Sequence, residues 1–534
     1  MFSRSLFLPF YLLIISSCTY QDIKSPPQFG IGENGVVSSA HPLASEAGIK
    51  ILKKGGNAID AAVASAFVLS VVEPSMSGIG GRLQAIIKLP NGEVRGVDAS
   101  TQVPENYDAE THPKNSYGYS TIGIPGVVAG LVKLNKEYGK LSLKEVMEDA
   151  IYHAENGYHI LPGESFRQKF AKDIIKDFSG TKKYFLKKDG ENYNPGELMI
   201  QKDLAETLKH ISDRGRDGFY KGEIANKIVE DIQSNGGILS LDDLENYEAK
   251  DSKVLEGSYR GFDIYSLYLP SYGAITLEIL NILSYFNIQE LTDLEWVKLF
   301  SDIIEVAYLD RPKQKYKDSL EIILSKEHAL QLSKSLKKSK LTYNLPNEIN
   351  GEWVADIGHT THLSASDIEG NVISLTQTVG PLMGSKVVSD GLGFLYAVTL
   401  GGYLGDYRPG DRANSHISPT IVTKENGFYL ALGAAGGSRI ITAITQVISN
   451  VIDKKMRLDT ALSKGRIFNM NDTTQVEYHE GILWDFNKQN LIGKYNYVEG
   501  IARFGRVHAV QYDTLSNTII GSADPDWEGS VNSF

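Results

Sequence analysis

The chain has 534 residues, 42% hydrophobic and 22% charged. This is the balance of an ordinary globular protein with room for one large layered domain or several smaller ones. A formal net charge of −11 argues against nucleic acid as a partner, because phosphate backbones need a basic face. Cys18 is the one cysteine, which excludes an internal disulfide framework.

The N-terminus reads as an export signal. Arg4 precedes the apolar run Leu6 to Ile15, which is too short to span a bilayer as a stable helix and has the layout of a secretory h-region. Ile15-Ser16-Ser17-Cys18 has the form of a bacterial lipobox, with Cys18 the lipidated first residue of the mature chain. The expected arrangement is a signal peptide over residues 1–17 and a tether over 18–34 that contains Ser25-Pro26-Pro27. The globular part would then sit in the bacterial cell envelope or periplasm, anchored by acyl chains.

Gly35–Ser39 reads as a short strand, and His41-Pro42 leads into a helix that ends at the basic, glycine-capped Lys53-Lys54-Gly55-Gly56. Asn57 caps a second helix, Ala58 to Val72, whose small apolar residues run all round it, the pattern of a buried helix. Ser77-Gly78-Ile79-Gly80-Gly81 is read as a tight turn into the strand Leu83 to Leu89. It lacks the lysine-serine pair of a phosphate loop. A helix is expected from Ile122-Gly123-Ile124-Pro125-Gly126, with the proline near its first turn. Mostly helical sequence follows to about Asp310, interrupted by one alternating strand over Tyr259–Ser266. Residues 314–357 are polar and poorly periodic, and the Lys334–Lys340 run reads as solvated surface. Beyond it the chain is expected to be mainly strands. Ser418–Val422 and Phe428–Leu432 form a hairpin pair, and Gly433-Ala434-Ala435-Gly436-Gly437 turns into a helix that reaches Ile452.

The stretch Gly358-His359-Thr360-Thr361-His362 follows the polar segment and opens an alternating strand. A threonine hydroxyl is a weak nucleophile without an adjacent base. If the chain is cut before the threonine, the freed α-amine supplies that base. Its unperturbed pKa is about 8. Thr360 is the candidate, and a threonine pair that simply begins a strand is the competing reading. His359 and His362 have no cysteine or carboxylate partner at ligand spacing, so no metal is assigned, and no cofactor is indicated.

Taken in order, several stretches give the chain a resemblance to the γ-glutamyltranspeptidase family of N-terminal-nucleophile hydrolases from about residue 35 onward. They are His41-Pro42-Leu43-Ala44-Ser45, Gly55-Gly56-Asn57-Ala58, Val72-Glu73-Pro74, Gly126-Val127-Val128-Ala129-Gly130-Leu131, Thr360-Thr361-His362, Ser418-Pro419-Thr420, Gly436-Gly437-Ser438-Arg439 and Ala523-Asp524-Pro525. The resemblance implies an α+β fold, an αββα sandwich built by two subunits of one autoprocessed precursor. The large subunit would be 35–359 and the small one 360–534, joined as a heterodimer. It also implies attack by Thr360 on a γ-glutamyl amide such as glutathione, with release to water or to an amino-acid or peptide acceptor. Thr378 matches the threonine that contacts the nucleophile, and Gly436 and Gly437 match the oxyanion pair. Ser415, His416, Ser100, Thr376 and Arg82 are the candidates for the substrate pocket.

The match breaks at the groups that would hold glutamate. Ser100 stands where the family carries a carboxylate-gripping arginine, and Leu395–Leu400 offers no carboxylate for the donor amine. The position of the family asparagine after the second threonine is Gly380. Arg82 occupies a family glycine position, and Arg412 and Arg439 lie nearby in the sequence. Three readings stay open: a γ-glutamyl hydrolase or transferase with a rebuilt clamp, an amidase of other specificity, and a non-catalytic surface lipoprotein that keeps the fold.

Overall fold

The computed structural model describes residues 26–338, 359–401, 407–425, 427–470, 473–500 and 504–534. The signal segment with Cys18 and residues 339–358 lie outside them. In chain order the strands of the two main sheets are β1 (Phe29–Gly32), β2 (Gly35–Ser39), β3 (Arg82–Lys88), β4 (Val94–Ala99), β5 (Lys250–Ser252), β6 (Val254–Tyr259), β7 (Phe262–Leu267), β8 (Thr361–Asp367), β9 (Val372–Thr378), β10 (Thr420–Lys424), β11 (Gly427–Ala435), β12 (Arg506–Asp513), β13 (Thr518–Ala523) and β14 (Ser530–Ser533). One sheet has the order β1-β13-β12-β11-β10-β7-β6, and the other β14-β2-β8-β9-β3-β4-β5. Both are antiparallel throughout.

Residues of alternating facing explain the layers. Val36, Ile86 and Val372 meet Leu267, Ile421, Ala431 and Val510 between the sheets. Their neighbours Val37, Ile87 and Ile373 face helices on one outer side, and Val422, Leu430 and Ala509 face helices on the other. Strands covered on both faces are therefore apolar at successive positions. The first outer layer includes α1 (Pro42–Lys53), α2 (Ala58–Val72), α3 (Val127–Tyr138) and α4 (Leu143–Asn156). The second includes α5 (Gly273–Leu283), α6 (Asp293–Tyr308), α7 (Lys317–Leu324), α8 (Lys326–Lys338) and α9 (Ile440–Ile452). This is the expected αββα sandwich.

Every residue of α2 is buried, as its small apolar composition predicts. Its start is a capping box in which Asn57 and Asp60 accept from each other's backbone. Four local expectations change. The stretch read as a tether over 18–34 ends in β1, where Phe29–Gly32 pairs with residues 519–522 of β13, so its last residues belong to the sheet. The strand expected over Tyr259–Ser266 is a hairpin, because Arg260 and Gly261 turn with φ of 53° and 83°. The region from 314 is not uniformly irregular: it carries α7 and α8, whose apolar residues Leu320, Ile323, Leu332 and Leu336 pack on the second helical layer. Pro125 precedes α3 rather than opening it, with Gly126 at the cap.

Candidate active site

Thr360 sits one residue before β8, at the centre of its sheet. Thr361 pairs with Gln377 of β9, and Thr378 pairs with Arg82 of β3. This antiparallel register brings Thr360 level with Thr378, and the Thr360 hydroxyl donates to Thr378 Oγ1 at 3.0 Å. Thr378 Oγ1 also accepts from the Gly380 N–H at 2.9 Å. Two donors on one hydroxyl oxygen fix its orientation.

The peptide before Thr360 is held as well. The His359 carbonyl oxygen accepts from the Gly436 N–H at 2.9 Å. Thr360 has φ of 96°, a left-handed value that is strained for a β-branched residue and costs on the order of 1–3 kcal/mol. The uncut chain thus presents a hydroxyl, a polarised carbonyl and a strained linkage at one place. Gly436, with φ of 146°, can approach because it has no Cβ: an added Cβ would lie 2.8 Å from Gly505 Cα. Gly437 follows with φ of 59°.

A small, partly open pocket lies on Thr360 and is walled by Arg82, His359, Thr378, Gly380, Ser415, His416, Gly437 and Ile440. Arg82 donates to the carbonyls of Val398 and Asn414. A Cβ at Gly380 would lie 3.3 Å from Arg82 Nη2, so the glycine makes room for this arginine. Arg311 Nη2 lies 2.6 Å from His416 Nδ1. A guanidinium only donates, so Nδ1 accepts and the ring proton resides on Nε2. Burial, with Arg311 and Arg82 nearby, pushes His416 well below its ordinary range. Burial, followed by Lys386 and Arg439, pushes His359 down to about 3. Both rings are neutral, and no carboxylate lines the cavity among the described residues.

Of the candidates named from sequence, Thr360, Thr378, Gly437, Ser415, His416 and Arg82 converge on this cavity, and Gly436 supplies its N–H to the adjoining carbonyl. Ser100 does not reach it. Its hydroxyl bonds Gln84 and its carbonyl accepts from Tyr247 and Arg412. Thr376 faces the inter-sheet layer, 2.8 Å from His362 Nδ1. Arg412 stacks on Tyr247, and Arg439 lies against Phe468 and bonds Gln475. Sequence reasoning missed Arg311, which carries no local motif, and gave no role to Ile440, His359 and Gly380. Among the described residues, two sets of donor atoms could hold an ion: Glu278, Asp310 and His328, and Glu477, His479 and Asp526. Neither lines the cavity, and both contain a histidine–carboxylate ion pair.

Two antiparallel sheets between helical layers, with a threonine at the head of a central strand, define the N-terminal-nucleophile hydrolase fold. A computed match to the gamma-glutamyltranspeptidase family model spans residues 44–534, and the chain belongs to that family of enzymes. It is 33% identical over 499 residues to the glutathione hydrolase proenzyme of Pseudomonas sp. (strain A14), covering 86% of each chain. It is 30% identical over 481 residues to the acylase ACY 1 proenzyme of Pseudomonas sp. (strain SE83), covering 84% of each. Among solved structures it resembles cephalosporin acylase from Bacillus halodurans, with a TM-score of 0.85 at 26% identity, over 98% of this chain and 99% of that one.

Proposed function

We propose that the chain cuts itself between His359 and Thr360 and that the new N-terminal threonine then breaks γ-glutamyl amide bonds. The observation that carries this reading is the joint geometry at one peptide: the Thr360 hydroxyl on Thr378, and the His359 carbonyl on the Gly436 N–H. In the first step Thr360 Oγ adds to the His359 carbonyl carbon, and the C–N bond breaks as the nitrogen takes a proton. Water hydrolyses the resulting ester, leaving a His359 carboxylate and a free Thr360 amine and hydroxyl. In turnover the same hydroxyl attacks the donor amide with its α-amine as base. The backbone N–H groups of Gly436 and Gly437 receive the oxyanion, an effect worth several kcal/mol per donor. The acyl-enzyme passes to water or to an acceptor amine.

A denaturing gel of the purified protein should show fragments ending at His359 and beginning at Thr360, and Thr360→Ala should remain whole. An uncut wild type would sink the enzyme reading.

A second reading rests on the cavity wall, which offers arginine and neutral imidazole but no carboxylate among the described residues. A donor bearing an α-ammonium group finds no counter-charge among those described wall residues, and acylases stand among the relatives. Release of aniline from a γ-glutamyl anilide, compared with anilides of acyl groups lacking the amine, separates the two. Turnover of the γ-glutamyl compound alone supports the first, and turnover of the deaminated acyl compounds alone supports the second.

The sequence around Cys18 supports export and lipid anchoring. Cys18→Ala should move the protein from the membrane fraction to the soluble one, and an unchanged distribution would count against the anchor.

A further inference from the structure

We propose that Arg506, held by Glu73, is a positioning residue that fixes the backbone of Thr360 before and after the chain is cut. The inference rests on Thr360 being the nucleophile.

Arg506 is 2% exposed and opens β12. Its Nη2 donates to the Thr360 carbonyl oxygen at 3.4 Å, and its Nη1 lies 3.2 Å from Glu73 Oε1. Glu73 follows α2, which anchors it in the large-subunit core. Its Oε1 also accepts from Arg167 Nη2 at 3.1 Å, and Arg167 is paired with Glu164 at 3.0 Å. Trp527 lies beside both guanidinium groups, 4.9 Å from Arg506 and 4.5 Å from Arg167. The base of Arg506 is equally fixed, because the next N–H, of Val507, donates to the buried Asp524 carboxylate at 2.9 Å.

Taking a guanidinium and a carboxylate out of water is expensive, and Arg167 is shared between Glu73 and Glu164, so Arg506 also balances the charge on Glu73; pairing alone would not require it to reach Thr360. What Arg506 adds is a charged donor on the carbonyl of Thr360. In the uncut chain both carbonyls that flank the strained residue are then gripped, that of His359 by Gly436 and that of Thr360 by Arg506. Cleavage frees His359 and ends the first grip. The second joins Thr360 itself to the protein core, and so holds a chain end that carries both the attacking hydroxyl and its base. A freed terminus frays unless tied down, and a misplacement of about 1 Å can lower a rate about 10²-fold.

The test compares Arg506→Met, Arg506→Lys and Glu73→Gln with wild type. It follows the rate of appearance of the two fragments, kcat and KM on the best anilide substrate, and the unfolding temperature. Glu528→Gln is the stability control. That carboxylate lies in the same buried cluster but bonds the Gly163 N–H, away from Thr360. The expected result is self-cleavage slowed about tenfold or more in Arg506→Met, with kcat down in whatever fraction is cut and KM unchanged. Arg506→Lys should recover part of the loss, and Glu73→Gln should show a smaller loss of the same kind. Glu528→Gln should lower only the unfolding temperature. If Arg506→Met folds, cleaves and turns over like wild type, or if the loss in every variant follows the unfolding temperature alone, the positioning role is overturned. If Arg506→Met does not fold, the same criterion applied to Arg506→Lys and Glu73→Gln decides. A Thr360→Ala variant that is still cut would instead overturn the assignment of the nucleophile.

Discussion

At Gly436 a single methyl group separates a working donor from a blocked one. Gly436→Ala would strain a residue at φ of 146° and set its Cβ 2.8 Å from Gly505 Cα. Displacing this N–H should slow self-cleavage about 10²- to 10³-fold, measured as the half-time of fragment appearance. His416 makes a different contribution, since Arg311 fixes its tautomer and leaves Nε2–H as a donor on the cavity wall. His416→Phe should therefore leave self-cleavage intact and lower kcat/KM about tenfold through KM. The motif made Thr360, Thr378 and the glycine pair legible at this scale. Ser100 was misplaced because alignment with a motif fixes chain position, whereas its side chain is taken up by Gln84 inside the fold.

Helix starts and buried polar groups dominate at the scale of elements. Asp60 of α2 accepts from the backbone of Asn57, Lys140 and Leu141 and from Asn135 Nδ2. It therefore ties the end of α3 and the following loop to the start of α2. Asp60→Ala leaves several buried donors unpaired and should cost about 3 kcal/mol or more in urea unfolding, against about 1 kcal/mol for Asn57→Ala. On α5, burial lifts the Glu278 carboxyl from 4.5 to about 8. The fold keeps a proton that the unfolded chain gives up above its own pKa, so this stability is present at low pH and is lost as pH rises from 4.5 to about 8. The neighbouring His328 is raised chiefly by its hydrogen bond to Glu278, and its contribution likewise fades as pH rises. Glu278→Gln should thus gain in unfolding temperature relative to wild type between about pH 5 and about pH 8.5. A constant difference across that range would contradict this. Caps and alternation made α1, α2, β2 and the β10–β11 hairpin readable in advance. The α7–α8 region was missed because its lysines mask a helical apolar stripe that only packing against α5 and α6 reveals.

Over the whole molecule the two sides of the proposed cut are interleaved. β8, β9 and β14 from beyond residue 360 lie among β2, β3, β4 and β5 in one sheet, and β10 to β13 lie between β1 and β7 in the other. Cleavage should leave one particle in gel filtration that separates into two fragments only on denaturation. Mild urea that released the small fragment while the large one stayed folded would contradict this shared core. The sequence by itself determined the family, the nucleophile candidate and most helix and strand starts, since these depend on neighbours a few residues apart. The tertiary structure decided which polar groups meet: Thr360 and Thr378 through strand register, His416 and Arg311 across the cavity, and Arg506 with Thr360, 146 positions apart. Such contacts arise from the packing of strands and helices remote in the chain, and no local pattern records them.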